Sequence, residues 1–411
     1  MIRLLLLGLA LWPALAAAET DGRALFHGHT PFAAGRAATP QYLPPERAAC
    51  AACHGPLGEG GAEGGVSAPP LRWPALISPR ADQPGLADEA AVAHAITDGQ
   101  GRAGNTHPAM PRYRISAAER DALIAYLHVI GTAADLPPGV QSGTVAIGTI
   151  LPLSGPAAPV GEAVLGGLHD VLDAAAPVYG RRLQLQAEDA VSHGAAAAAE
   201  ALVSRPVYAV VAGLWRAGER DADPVLAAHR VASVASLVVR REPAGGDTWS
   251  ADLLPPLSEQ DAALSAWLVT CNPALARIAL GPSGRVGQDA AGITWQRTPP
   301  SPAAVPGCVG AGLGMLGPAQ VLARSGWSVR VVLPVPAGLG GGDTWRQFGQ
   351  ASARILLELL ARSGALLHER SLLAQLPGLS GFEPLPGLPV RFSRQRRFAW
   401  DPALTALETE Q

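Results

Sequence analysis

The run from Pro44 to Gly61, PPERAACAACHGPLGEGG, contains Cys50-Ala51-Ala52-Cys53-His54 and decides how the N-terminal part folds. If these five residues begin a helix, positions i, i+3 and i+4 share one face. Two thiols and an imidazole then project together, the arrangement by which Cys-x-x-Cys-His attaches one c-type haem. His54 is the expected proximal ligand. A low-spin electron-transfer iron needs a second axial ligand, and a thioether there favours the reduced metal. Beyond the N-terminal leader the chain holds two methionines, Met110 and Met315. Met110 lies in His107-Pro108-Ala109-Met110-Pro111-Arg112-Tyr113, a polar, proline-flanked stretch suited to a loop, and is the expected distal ligand. His107 is the competing one. A thiol-disulfide motif would sit beside a βαβ pattern, and the flanks of Cys50 show none. A zinc site needs further ligands at short spacing, which His94 and His107 do not offer. His27 and His29 read as loop residues, and His94 as an ordinary residue of a helix over 89–96.

A helix follows the Met110 loop. Ser116 and Glu119 form a capping box, Leu123, Ile124, Leu127 and Ile130 recur at helical spacing, and Gly131 is a natural stop. The run MPRYRISAAERDALIAYL (110–127) resembles the end of class I bacterial cytochromes c, and PPERAACAACHGPLGEGG resembles their haem-binding start. The resemblance implies an all-α domain and a proline carbonyl holding the proximal histidine through its other ring nitrogen. Ala68-Pro69-Pro70-Leu71 is the matching segment, which makes Pro69 the orienting residue and Leu71 a haem-packing one.

Composition bounds the partners. The 411 residues suffice for two or three domains, 48% are hydrophobic, 16% are charged, and the net charge is −3. No basic patch suggests a nucleic-acid partner. Met1-Ile2-Arg3, an apolar run to Leu15 and Ala16-Ala17-Ala18 read as a signal peptide over 1–18, shorter than the roughly 20 residues of a spanning helix. A soluble periplasmic protein with no membrane span after signal removal is expected. Cys271 and Cys308 then form an even pair in an oxidising compartment, where a disulfide between them is one reading and two buried thiols the other.

The cytochrome domain is expected over 19–131. Residues 132–143, within GTAADLPPGVQSG, read as a linker. From 144 to 411 strands alternate with helices, a pattern of βαβ units on a parallel sheet. Expected strands are 145–151, 183–187, 207–212, 232–237 and 277–280, and expected helices 161–175, 195–203, 224–229 and 259–269. VAIGTILPLSGPAAPVGEAVLGGLHDVL (145–172) resembles the opening of the leucine/isoleucine/valine-binding family of periplasmic solute-binding proteins. TWRQFGQASARILLELLARSG (344–364) and LPGLPVRFSRQRRFAW (385–400) resemble its closing helix and strand. This implies a two-lobed α/β domain with a small-molecule ligand in the cleft, and Ser154 stands where a hydroxyl would hold the ligand carboxylate. The family's small hydroxyl residues after the third strand are replaced by Leu214-Trp215-Arg216-Ala217-Gly218-Glu219-Arg220, and the second lobe is short. Gly338 to Gly342 reads as a loop, Asp189 as a surface residue, and Arg391, Arg394, Arg396 and Arg397 as a solvated cluster.

The expected fold class is therefore multidomain, an all-α cytochrome c domain followed by a two-lobed periplasmic-binding-protein-like domain. The expected function is electron transfer by one covalent haem c, with no enzyme activity. The second domain would dock a redox partner such as an exported dehydrogenase. The alternative is a transport or sensory solute-binding protein with an accessory haem domain.

Overall fold

The structure, a computed structural model, describes residues 21–32, 36–37, 49–63, 65–81, 83–102, 104–106, 110–215, 221–243, 245, 248–336, 339 and 343–407. The expected signal peptide, His107, residues 216–220 and, except for Leu339, the run 338–342 lie outside them. The chain divides into two compact units, Met1–Asp135 and Leu136–Gln411.

In the first unit, in chain order, come α1 (Gly22–Phe26), β1 (Arg36–Ala37), α2 (Cys50–His54), β2 (Gly61–Glu63), β3 (Val66–Ala68) and α3 (Trp73–Ile77). Then follow α4 (Glu89–Thr97), β4 (Gln100–Gly101), β5 (Gly104–Asn105), β6 (Arg112–Tyr113) and α5 (Ala117–Val129). The short strands pair antiparallel as β1 with β6, β2 with β3 and β4 with β5, adding local ladders to the helices. Phe26, Leu76, Val92, Ile96, Leu123 and Leu127 form the core. The capping box is present: Glu119 N donates to Ser116 Oγ at 3.2 Å and Ser116 N donates to Glu119 Oε2 at 2.7 Å. Gly22 lets α1 lie on α5, because a Cβ there would fall 2.0 Å from the Ala122 carbonyl oxygen. Asp135, in the expected linker, is buried in this unit and accepts from the Tyr126 hydroxyl, Gly131 N and Arg23 Nη1.

The second unit opens with β7 (Thr144–Leu151), α6 (Ala158–Leu172), β8 (Arg182–Asp189), α7 (Ala195–Ser204), β9 (Ala209–Val211), α8 (Asp223–Ala228), β10 (Ala232–Ser236) and β11 (Ser250–Asp252). The expected strands and helices of this stretch are found with ends shifted by one to three residues. Their sheet is parallel in the order β11-β10-β9-β7-β8. β7 is buried on both faces, as its near-continuous apolar sequence requires. Ala198, Ala199, Leu202 and Leu226 from α7 and α8 belong to one apolar cluster. Val164 and Leu168 of α6 belong to another, with Phe348 and Leu356 of α11 (Thr344–Ser363). The two long helices touch backbone to backbone: a Cβ at Gly349 would lie 2.1 Å from the Val164 carbonyl oxygen.

The second lobe contains α9 (Leu257–Val269), β12 (Arg277–Leu280), β13 (Gly287–Gln288), β14 (Thr294–Trp295), β15 (Cys308–Gly312), α10 (Leu316–Arg324), β16 (Ser328–Leu333) and, after α11 and α12 (Ser371–Gln375), β17 (Ala403–Ala406). Its sheet runs β13-β14-β12-β15-β16-β17, with the two edge strands antiparallel. Parallel strands are usually joined through a helix. Here β12 reaches β14 through residues 281–293, which carry only β13. Between the lobes, crossing segments bond to one another: Trp400 N donates to Leu253 O at 3.3 Å and Ala403 N to Val335 O at 3.2 Å. No helix among the described residues is long and apolar enough to cross a membrane.

Candidate functional site

α2 is one turn and a half long, and it ends because the chain doubles back beneath it. Gly60 N donates to His54 O at 2.7 Å with Gly60 at φ +91°, a region open to glycine. A Cβ at Gly60 would sit 2.9 Å from the Ala68 carbonyl oxygen, so only glycine lets the two segments meet. Leu71 N then donates to Gly58 O at 2.9 Å. This pairing sets the Pro69 carbonyl 2.7 Å from His54 Nδ1.

His54 is 7% exposed, and its burial pushes the imidazole pKa down against the pull of the Pro69 bond. A ring that is neutral, with Nδ1 engaged by a carbonyl, offers Nε2 to a metal in a fixed orientation. Cys50 and Cys53 are not joined to each other. Desolvation pushes the Cys50 thiol up to about 12. The attacking thiol of a redox-active Cys-x-x-Cys is shifted the other way, so Cys50 does not have the electrostatics of a thiol-disulfide exchanger.

These three residues line a cavity of about 440 Å³ that Leu71, Pro69 and Met110 also line. The rest of the wall is mostly apolar, with Phe26, Leu76, Val92, Ile96, Leu123 and Leu127 as its main contributors. Volume and lining suit a bound cofactor. Met110 is half-buried beside Pro111, and its carbonyl accepts from Arg112 Nη1 at 2.9 Å. Two unjoined thiols, an oriented imidazole, a thioether and apolar walls fit a haem c.

Other sequence candidates lie elsewhere. His94 is exposed on α4 and pairs with Asp98 at 2.7 Å. His27 Nε2 is 3.2 Å from the Tyr126 hydroxyl and its ring stacks on that of His29. Neither His27, His29 nor His94 lines the cavity. Among the described residues no group of three or more His, Cys, Asp and Glu side chains could hold a metal ion. Ser154 follows β7 in the second unit, where its hydroxyl donates to Asp189 Oδ2 at 2.5 Å. Asp189, read as a surface residue, is partly exposed and also accepts the bonds that close that turn. Arg391 and Arg396 share Asp401, and Arg397 is buried, so the C-terminal arginines are not a uniformly solvated cluster. Cys271 and Cys308 are joined in a disulfide. Sequence reasoning missed Arg102 and Thr106, which both line the cavity. They stand in GQGRAGNT, a polar run with no apolar period to mark it.

Residues 46–130 match the family model for Cytochrome c, a family whose members hold covalently bound haem c. The remainder is similar in fold to solved binding proteins. A possible leucine/isoleucine/valine-binding protein from Rhodopirellula baltica SH 1 is 16% identical over 66% of this chain and 98% of its own, with a TM-score of 0.45. An extracellular ligand-binding receptor from Rhodopseudomonas palustris HaA2 is 10% identical over 66% and 99%, with a TM-score of 0.47. A branched-chain amino acid transporter substrate-binding protein from Streptococcus pneumoniae, solved with isoleucine, is 13% identical over 64% and 96%, with a TM-score of 0.45. No curated protein matches the chain. Residues 46–130 thus match a cytochrome c domain, and an α/β region of two sheets follows it.

Proposed function

We propose that this protein is an exported, soluble electron carrier for a single haem c, which Cys50 and Cys53 would anchor through thioether bonds and His54 and Met110 would hold at its iron. One observation carries the reading: His54 Nδ1 is bonded to Pro69 O in the wall of a cavity that Cys50, Cys53 and Met110 share. When bound, the haem supplies one-electron chemistry. The chain's own part is to hold it. Pro69 fixes the His54 ring, Leu71 and the α5 residues Leu123 and Leu127 would exclude water, and Met110 would supply the second ligand from the same cavity wall. Domain bounds of 19–131 and 144–411, with a connection between them, belong to the same proposal.

The α/β region serves in this reading to dock a periplasmic redox partner. Support comes from Ser154, whose hydroxyl is committed to Asp189 rather than open to a ligand carboxylate. The test is the purified full-length protein. Mass spectrometry should show the mass of one haem, and a pyridine haemochrome spectrum should report two thioether bonds. Dithionite should reduce the haem and an acceptor reoxidise it. Absence of haem, or a haem that does not cycle, would sink the proposal.

A further inference from the structure

Arg102 places a charge in the cavity wall that the haem reading leaves without a counter-charge. Its Nη1 donates to Ser78 O at 2.5 Å and Pro84 O at 3.1 Å, and its Nη2 to Leu76 O at 2.7 Å and to the Ala75 carbonyl. All four acceptors are neutral carbonyls of the 75–84 segment. They consume the Nη protons and leave the Nε proton unused. Among the described residues no carboxylate lines the cavity or pairs with Arg102. A partly buried cation without a counter-charge is costly. Four residues on, Thr106 is held by its backbone, N donating to Gly99 O at 2.7 Å, while its buried Oγ1 has no partner and the residue lines the same cavity. A buried hydroxyl without a partner costs about 1–3 kcal/mol. An anionic acceptor at this edge would satisfy both groups at once.

We infer that Arg102 and Thr106 seat the carboxylate edge of the cofactor, and that Arg102 thereby ties cofactor charge to the 75–84 segment. The inference rests on the haem reading and adds an orientation to it: the carboxylates lie towards Arg102 and Thr106. Arg102 is a positioning residue with two duties, one electrostatic and one as a staple. A guanidinium beside the haem carboxylates stabilises the reduced state, which carries one more negative charge.

The two duties separate by mutation of the full-length haem protein. R102Q should lower the reduction potential by the equivalent of a tenfold change in the equilibrium, about 59 mV for one electron. It should also speed amide exchange across 75–84. R102K keeps the charge and loses the fork, so it should restore most of the potential but not the slow exchange. T106V breaks no bond within the protein and should shift the potential the same way by less, with displaced carboxylate-side resonances in the NMR spectrum. Faster exchange in R102Q with an unchanged potential would show a staple alone and overturn the inference. If R102Q does not accumulate, T106V decides, and an unshifted potential and spectrum there would overturn it. Haem absent from the wild-type haemochrome spectrum would instead remove the haem reading and this inference together.

Discussion

Ser154 Oγ donates to Asp189 Oδ2 at 2.5 Å, and the same carboxylate accepts from Leu153 N and Val191 N at 3.0 Å. In parallel α/β sheets, ligands sit beyond the carboxyl ends of the strands. Here the carboxyl ends of β7 and β8 are closed by the chain's own anion. These donors hold Asp189 well below the usual carboxylate range. A second carboxylate at Ser154 would meet a fixed negative charge.

Small amino acids and carboxylic acids at millimolar concentration should therefore leave the wild-type melting temperature unchanged. D189N should lower it by ~2–4 °C at pH 7, the shift that 1 kcal/mol gives in a domain of this size. With a depressed folded pKa, the Asp189 contribution is full above the unfolded value and disappears as pH falls through the folded one. The gap between wild type and D189N should therefore narrow on acidification below about pH 4. Ligand-induced stabilisation of the wild type by leucine or isoleucine would contradict this account.

Among the described residues Met110 is the one methionine that lines the cavity, and Met315 lies in the second unit. Replacing it with alanine should open the sixth iron position, so that the reduced protein binds carbon monoxide in visible spectroscopy while wild type does not. Met110→His should keep the position filled and lower the reduction potential, because a thioether favours the reduced iron more than imidazole does. An unaltered potential in M110H would remove Met110 from the axial pair.

Legibility in the sequence followed the strength of local signals. The α5 capping box and the β12 span Arg277–Leu280 were readable because each rests on neighbouring residues. His54 and Pro69 lie fifteen residues apart, and it took a family resemblance to connect them; the turn at Gly60 supplies the physical reason. Arg102 was silent because its partners are backbone carbonyls, which any sequence provides. The bonding role of Asp189 was not legible because one of its donors comes from a different strand's end. The disulfide could not be decided from spacing, since Cys271 and Cys308 meet only once β15 is placed beside β12.

Arg240 donates to both Asp252 and Asp223, and burial raises the pKa of each carboxyl, Asp252 to about 7. R240M leaves two partly or fully buried carboxylates without their cation, and should cost about 3–5 kcal/mol. The sign of its pH dependence is fixed. A carboxyl with a raised folded pKa contributes stability below its unfolded value and loses it as pH rises through the folded one. Without the guanidinium those folded values rise further, so the deficit of R240M should grow between pH 5 and pH 8 in chemical denaturation. A deficit that is flat across that range would show that the carboxylates are solvated rather than buried.

Cys271 and Cys308 enclose a chain separation of 37 residues that contains all of β12 and β14. Cys308 is 5% exposed and packs with Leu268, Ala279, Ile293 and Trp295. The second lobe has no helix between β12 and β14, and the cross-link fastens the end of α9 to β15. Restricting the unfolded chain over such a loop is worth about 3–4 kcal/mol in the loop-entropy account. The double variant C271A/C308A should therefore melt about 10 °C lower than wild type. Reductant should lower the wild-type melting temperature towards that of the variant and leave the variant unaffected. If the reductant shifts both equally, the loss does not come from this bond, and the lobe is held by its packing alone.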